Sequence, residues 1–89
     1  MRFEWDGAKA AANVEKHRVS FDEAVTVFYD PLAATFGDPD HSEDESRLVT
    51  VGYSAQGRLL IVCHVDRDAA TRLISARRAT AREGKRHEA

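Results

Sequence analysis

Arg77 and Arg78 follow Ile74-Ser75-Ala76 near the end of an 89-residue chain, and Arg82, Lys85 and Arg86 come soon after. With Arg72 added and Glu83 and Glu88 subtracted, residues 72–89 carry +4 and residues 1–71 carry −6, although the whole chain carries only −2. Guanidinium forks fit phosphate oxygens in pairs, so a polyanion is the natural ligand for such an end. Charge alone does not separate that reading from a merely solvated helix face. Placement adds to it. In an extended strand Ser75 and Arg77 project to the same side, and Arg77, Arg78, Arg82 and Lys85 continue onto the helix expected after them. His64 ends an apolar run and Arg47 opens the facing strand, which puts the two on one rim if the hairpin pairs in register; Arg67 falls just beyond. An RNA phosphodiester attacked by its own 2′-hydroxyl needs a base, an acid and cations for the charge gathering on phosphorus. His64, Arg47 and the arginines after Ala76 have the chemistry for all three.

Other constellations are weak. The chain has no phosphate-binding glycine loop, no dinucleotide fingerprint and no H-E-x-x-H pair, and a single cysteine excludes a multi-thiolate zinc site. Asp38, Asp40, His41, Glu43, Asp44 and Glu45 offer hard oxygen and nitrogen donors, but without the glycine and spacing of a calcium loop they read as a solvated acidic loop. No metal is expected. Cys63, inside "LLIVCHV", reads as a small buried hydrophobe. Ser20 is committed to a helix cap and Ser75 has no base that the sequence identifies, so a nucleophilic triad is poorly supported.

The elements that must position these groups follow from period and punctuation. Residues 2–5, "RFEW", alternate as a short edge strand does. Asp6 caps a helix over 7–17 with Lys16 and His17 at its negative end, and Arg18 stands where a terminating glycine is usual. Ser20 and Glu23 have capping-box spacing and open a second helix, ended by Pro31 at Asp30. The period then changes from 3.6 to 2: strands at 32–36, 47–53, 58–65 and 71–76, with an acidic loop at 37–45, a hairpin loop "SAQG" ending in Gly57, and a turn at "DRDAA". A basic helix is expected from Arg77 to His87, weakened by Gly84. The fold class is α+β: two N-terminal helices on an antiparallel sheet of three to four strands, with a C-terminal basic helix, in one domain over 1–89. The central run "LLIVCHV" is apolar on both faces, so both faces of the sheet need cover. Charged residues interrupt the start and no apolar run approaches the ~20 residues of a membrane span, which points to a soluble, cytoplasmic protein.

These stretches together carry a family resemblance. "FEWDGAKAAANVEKHRVSFDEAVTVFYDP", "DPDHSEDESR", "GRLLIVCHVDR" and "LISARRATAREGKR" are similar to the BrnT family of type II toxins, from Phe3 to about Glu88. The combination carries it: the W-D and K-x-x-x-N spacing, "KH" before "VSF", and "ISAR" followed by "AT". The resemblance implies a fold similar to RelE-type ribonucleases and RNA cleavage that halts translation. It further implies neutralisation by a ribbon-helix-helix antitoxin that alone contacts promoter DNA, and no metal or organic cofactor. Arg47, His64, Arg67, Ser75, Arg77, Thr80, Glu83, Lys16 and His17 fall where that family has recurrent polar residues. The implied roles are phosphate charge for Arg47 and Arg77, proton transfer for His64, and a second acid/base or an arginine-orienting group for Glu83. Lys16, His17, Arg67, Ser75, Arg78 and Arg82 are expected to hold substrate. Arg18 replaces a common glycine, and Gly84 and His87 replace a helix former and a common tyrosine. Two other readings stay open: a non-catalytic module that binds nucleic acid or a partner through the same basic rim, and a degenerate toxin kept as a structural partner.

Overall fold

The computed structural model describes residues 2–41 and 46–88. The acidic loop expected over 37–45 therefore lies partly outside the described residues. Five strands form one sheet: β1 (Arg2–Glu4), β2 (Ala34–Gly37), β3 (Arg47–Tyr53), β4 (Leu59–Arg67) and β5 (Ala70–Arg78). Their spatial order is β1-β5-β4-β3-β2. The ladders are antiparallel except that β1 runs parallel to β5. The sheet is thus mixed, with one strand more than the three to four expected. The extra strand is the "RFE" segment, which finds its partner at the far end of the chain. Among the described residues, no helix is long and apolar enough to cross a membrane.

Helix α1 (Gly7–His17) starts where Asp6 accepts a hydrogen bond from the Ala8 amide, and it ends at Arg18, which takes the left-handed conformation (φ 59°). An arginine there bears the strain that glycine avoids. Helix α2 (Phe21–Thr26) opens on Ser20, whose hydroxyl accepts from the Glu23 amide. Only half of the expected capping box forms, because the Glu23 carboxylate is taken elsewhere. A 3-10 turn, Val27–Tyr29, tightens the helix end before Pro31. Both helices cover one sheet face. Val19, Phe21, Ala24 and Val27 pack there on Leu60, Val62, Leu73 and Ala76, with Trp5 edge-on to Phe21. Gly52 admits this layer closely: a Cβ at that position would sit 2.9 Å from the Ala33 Cβ and 3.0 Å from a Val27 methyl.

Two buried polar clamps fix the layers. Glu23 is 5% exposed and receives the Arg58 guanidinium in a paired contact, with Ser54 donating a further bond of 2.7 Å. Arg58 also donates to the Arg18 carbonyl (3.0 Å), so the β3–β4 hairpin is tied to both helix ends. Those bonds, with the Arg58 contact first, outweigh burial and hold the Glu23 carboxyl below its ordinary range. Asn13, 6% exposed, donates to the Val19 and Ala76 carbonyls (2.8 Å each) and accepts from the Ala76 amide (3.1 Å). β1 pairs with β5 only over residues 70–72. Beyond that point the Asn13 amide does for Ala76 what a neighbouring strand would do.

The last strand runs further than the period suggests. β5 continues through Arg78, so both arginines are strand residues, and the helix begins only at Ala81 as α3 (Ala81–Glu88). Its N-terminus is a complete capping box: the Glu83 amide donates to the Thr80 hydroxyl (3.2 Å) and the Thr80 amide donates to the Glu83 carboxylate (2.8 Å).

Candidate functional site

Directly opposed residues of neighbouring strands share a face, so the register sorts every candidate. On the face that α1 and α2 leave uncovered, Arg47, Val65, Arg72 and Glu4 form one row across β3, β4, β5 and β1. Phe36, Val49, Cys63 and Ser75 form the next, across β2 to β5. Ala34, Val51, Ile61 and Arg77 form the third, and Tyr53 and Leu59 close the series. Arg67 and Ala70, joined by Arg2 on β1, extend it at the other end. This open face therefore has arginines at both ends and an apolar floor of Val49, Val51 and Ile61 between them. Phe36 stands half-exposed at its edge.

Helix α3 crosses one end of this face from β5 to β3. Glu83 meets Arg77, Gly84 passes over Leu59, and at the far end Glu88 accepts a bond from the Tyr53 hydroxyl (2.5 Å) while the His87 ring lies against Tyr53. Arg77 and Glu83 form a fork-to-fork pair, with both terminal nitrogens donating to the two carboxylate oxygens at 2.9 Å. The Arg77 bond, followed by the Thr80 amide, pulls the Glu83 carboxyl down to about 2. At neutral pH Glu83 has no proton to give; it orients the guanidinium, which is 43% exposed. Arg47, 25% exposed, lies 3.7 Å from the buried Asp38 carboxylate. Arg82, Lys85 and Arg86 line the outer surface of α3.

His64 does not join this group. The register sets Leu48 opposite His64 and Arg47 opposite Val65, so the imidazole shares its face with Leu60 and Val62 and points under the helices. It is 2% exposed and lies edge-on to Phe28 at 5.0 Å. Its ring nitrogens bond Thr50 (2.7 Å) and Asp66 (2.8 Å), and Thr50 bonds Thr35 (2.7 Å). A satisfied core histidine results. The rim expected to hold Arg47 and His64 together fails by one residue of register, which puts the two side chains on opposite faces. Arg78 lies opposite Leu60 and so faces away from Arg77, toward the field of Glu23. Lys16 and His17 sit in the last turn of α1, on the covered side. The structure thus sets Arg47, Arg67, Ser75 and Arg77 on one face, with Glu83 against Arg77, turns Arg82 to the outer side of α3, and separates His64, Arg78, Lys16 and His17 from that face.

Three residues of the open face are not among the site residues expected from the sequence. Arg2 becomes a neighbour of Arg67 only through the parallel pairing of β1 with β5, which no local pattern announces, and Arg72 shares the face of Ser75 and Arg77 only because the β4–β5 register shifts at Cys63/His64. Phe36 reads as a strand residue, and only the edge position of β2 leaves its ring in solvent. Thr80 and Glu83, by contrast, have readable T-x-x-E spacing.

A family model described as ribonuclease toxin, BrnT, of type II toxin-antitoxin system matches residues 5–83. No match occurs among curated protein sequences. Among solved structures, the chain is similar to the 1.1 Å crystal structure of the Brucella abortus ribonuclease toxin BrnT, with a TM-score of 0.72 and 23% identity. That match covers 90% of this chain and 97% of the other. With the family model spanning from Trp5 in the edge-strand segment to Glu83 on Arg77, the chain belongs to the BrnT family of ribonuclease toxins from type II toxin-antitoxin systems.

Proposed function

We propose that this chain is a metal-independent endoribonuclease toxin that cleaves RNA in the cytoplasm, inhibits translation and is neutralised by a cognate antitoxin. The antitoxin is of ribbon-helix-helix type, and promoter DNA is reached only through it. The observation that carries the reading is the open face, where Arg77 is pre-set by Glu83 and shares one surface with Arg47, Arg67, Arg72 and Ser75. Guanidinium groups fixed before substrate arrives stabilise charge that develops on phosphorus without reorganising at the moment of reaction.

In this mechanism the RNA backbone lies across the open face, with a base able to stack on Phe36. Arg77 grips the non-bridging oxygens of the reacting phosphate, and Arg47, four strand steps along the face and two strands over, holds the backbone of a neighbouring nucleotide, so that the 2′-hydroxyl is kept in line. The 2′-oxygen attacks phosphorus and the P–O5′ bond breaks, leaving a 2′,3′-cyclic phosphate and a 5′-hydroxyl. The 2′ proton leaves to water and the 5′-oxygen takes one from water. Buried His64 takes no part, and Glu83 acts by positioning. Among the described residues no group of three or more His, Cys, Asp or Glu side chains converges as a metal site.

Purified protein incubated with RNA and EDTA tests the reading. Cleavage is expected, with Arg77→Ala slowing it by about 100-fold or more, the scale of removing one transition-state donor, and relieving growth arrest at unchanged protein level. Retention of RNA without cleavage would instead identify a binding module, a reading that the burial of His64 favours.

A further inference from the structure

A second arginine cluster stands at the opposite end of the open face from α3. Arg2, Glu4, Arg67, Asp68 and Arg72 line a cleft of about 290 Å³ between β1 and the β4–β5 hairpin. Three guanidinium groups face two carboxylates there. Among the described residues neither Arg2 nor Arg67 forms an ion pair, and Arg72, 42% exposed, reaches Glu4 only at 3.9 Å, beyond hydrogen-bond length. The hairpin that carries Arg67 is tight: Asp68 and Ala69 both take positive φ (53° and 61°), as a two-residue turn of this hand requires. An alanine accepts that conformation at a cost, so Arg67 is held on the strand end and not on a loose loop. The register puts Arg72 in the row of Val65 and Arg77 in the row of Ile61, four strand steps or about 13 Å along the same face. That span exceeds what one phosphate can bridge.

We propose that Arg2, Arg67 and Arg72 form a second phosphate subsite, which binds the backbone of single-stranded RNA several nucleotides away from the linkage held at Arg77. The proposal rests on the open face being the RNA platform, and it makes the substrate an extended strand. Glu4 and Asp68 keep the cleft closer to neutral until phosphate enters, and so weaken it for small anions that bring no second contact.

The test measures binding of a 2′-O-methylated dodecanucleotide, which stays whole, at several salt concentrations to the wild-type chain, Arg67→Ala/Arg72→Ala and Arg77→Ala. Each lost contact to single-stranded RNA lowers the slope of log affinity against log salt by about 0.7, so the double variant should lose about 1.4 and bind roughly tenfold more weakly at physiological salt. Glu4→Gln should tighten binding by about threefold, a change of opposite sign that misfolding cannot produce. A double variant with unchanged slope, beside an Arg77→Ala variant whose slope falls, overturns the second subsite and leaves the platform standing. Absence of RNA binding by the wild-type chain, or an unchanged slope in Arg77→Ala, overturns the platform and the subsite with it.

Discussion

Replacing Asn13 by alanine should cost more stability than any single hydrogen bond explains. The side chain makes three buried bonds, to the Val19 carbonyl and to both backbone groups of Ala76. At about 1 kcal/mol net per bond the loss is ~3 kcal/mol, and it rises toward ~5 because the Ala76 amide and two carbonyls are left without partners in a dry interior. The chain's total stability is on the order of 4–13 kcal/mol at the usual value per residue. A loss of ~3 kcal/mol therefore lowers the urea midpoint by about 2 M, taking a slope of about 1.5 kcal/mol/M. Asn13→Asp should be at least as harmful at neutral pH, since the carboxylate still accepts from the Ala76 amide but faces two carbonyls that it cannot satisfy. Ala76 lies between Ser75 and Arg77, so any variant that folds should also bind RNA more weakly, through a loosened strand. Urea unfolding followed by circular dichroism reads the effect. A midpoint shift below about 0.5 M for Asn13→Ala, or an aspartate variant as stable as the parent, would refute the view that the amide substitutes for a strand.

Arg58→Ala strands the Glu23 carboxylate under α2 and should destabilise by about 3 kcal/mol, read from the same urea titration. Acid should unfold the chain through carboxylates held below their ordinary range: Glu83 by Arg77, Glu23 by Arg58, and Asp30 by the Tyr53 amide. A depressed folded-state value gives stability that is present above the unfolded value near 4.5 and is lost as pH falls. For Glu83 the window closes at about 2, so stability measured between these limits should fall with acid, and Glu83→Gln should flatten that fall. Gly84→Ala adds a Cβ that meets Leu59 at 3.7 Å, an ordinary contact, and should stabilise α3 by about 1 kcal/mol, raising Tm by a few degrees in calorimetry.

Local chemistry was legible and long-range pairing was not. Asp6 and Ser20 cap helices because the cap needs only residues two or three positions away, and Gly57 takes φ 79° in the hairpin loop for an equally local reason. The fate of Glu23 was not legible, because its carboxylate is claimed by Arg58 from 35 residues on. The parallel contact of β1 with β5 spans nearly the whole chain, and Arg2 joins the face only with it, while Arg72 joins through the register shift of the β4–β5 hairpin. Arg77 was placed on the correct side by strand alternation with Ser75, while Arg78 was not separated from it until β5 proved to continue through both.

His64 shows how little separates a catalytic from a structural reading. Along β4 the residues facing the helices are Leu60, Val62 and His64, and those facing the arginines are Ile61, Cys63 and Val65. Sliding the β3–β4 register by one residue would bring an imidazole beside Arg47, but it would also drive Leu60 and Val62 out of a layer where each is fully buried. Two buried side chains at about 1.5–3 kcal/mol each outweigh what one exposed imidazole gains, so packing decides the face. The open face is then left with guanidinium groups and no imidazole from this strand, and in the proposed reaction it acts through charge that is already in place. A pH–rate profile for RNA cleavage follows from that: the rate should show no inflection near pH 6.5, the ordinary histidine value, and His64→Gln should lose stability before it loses chemistry.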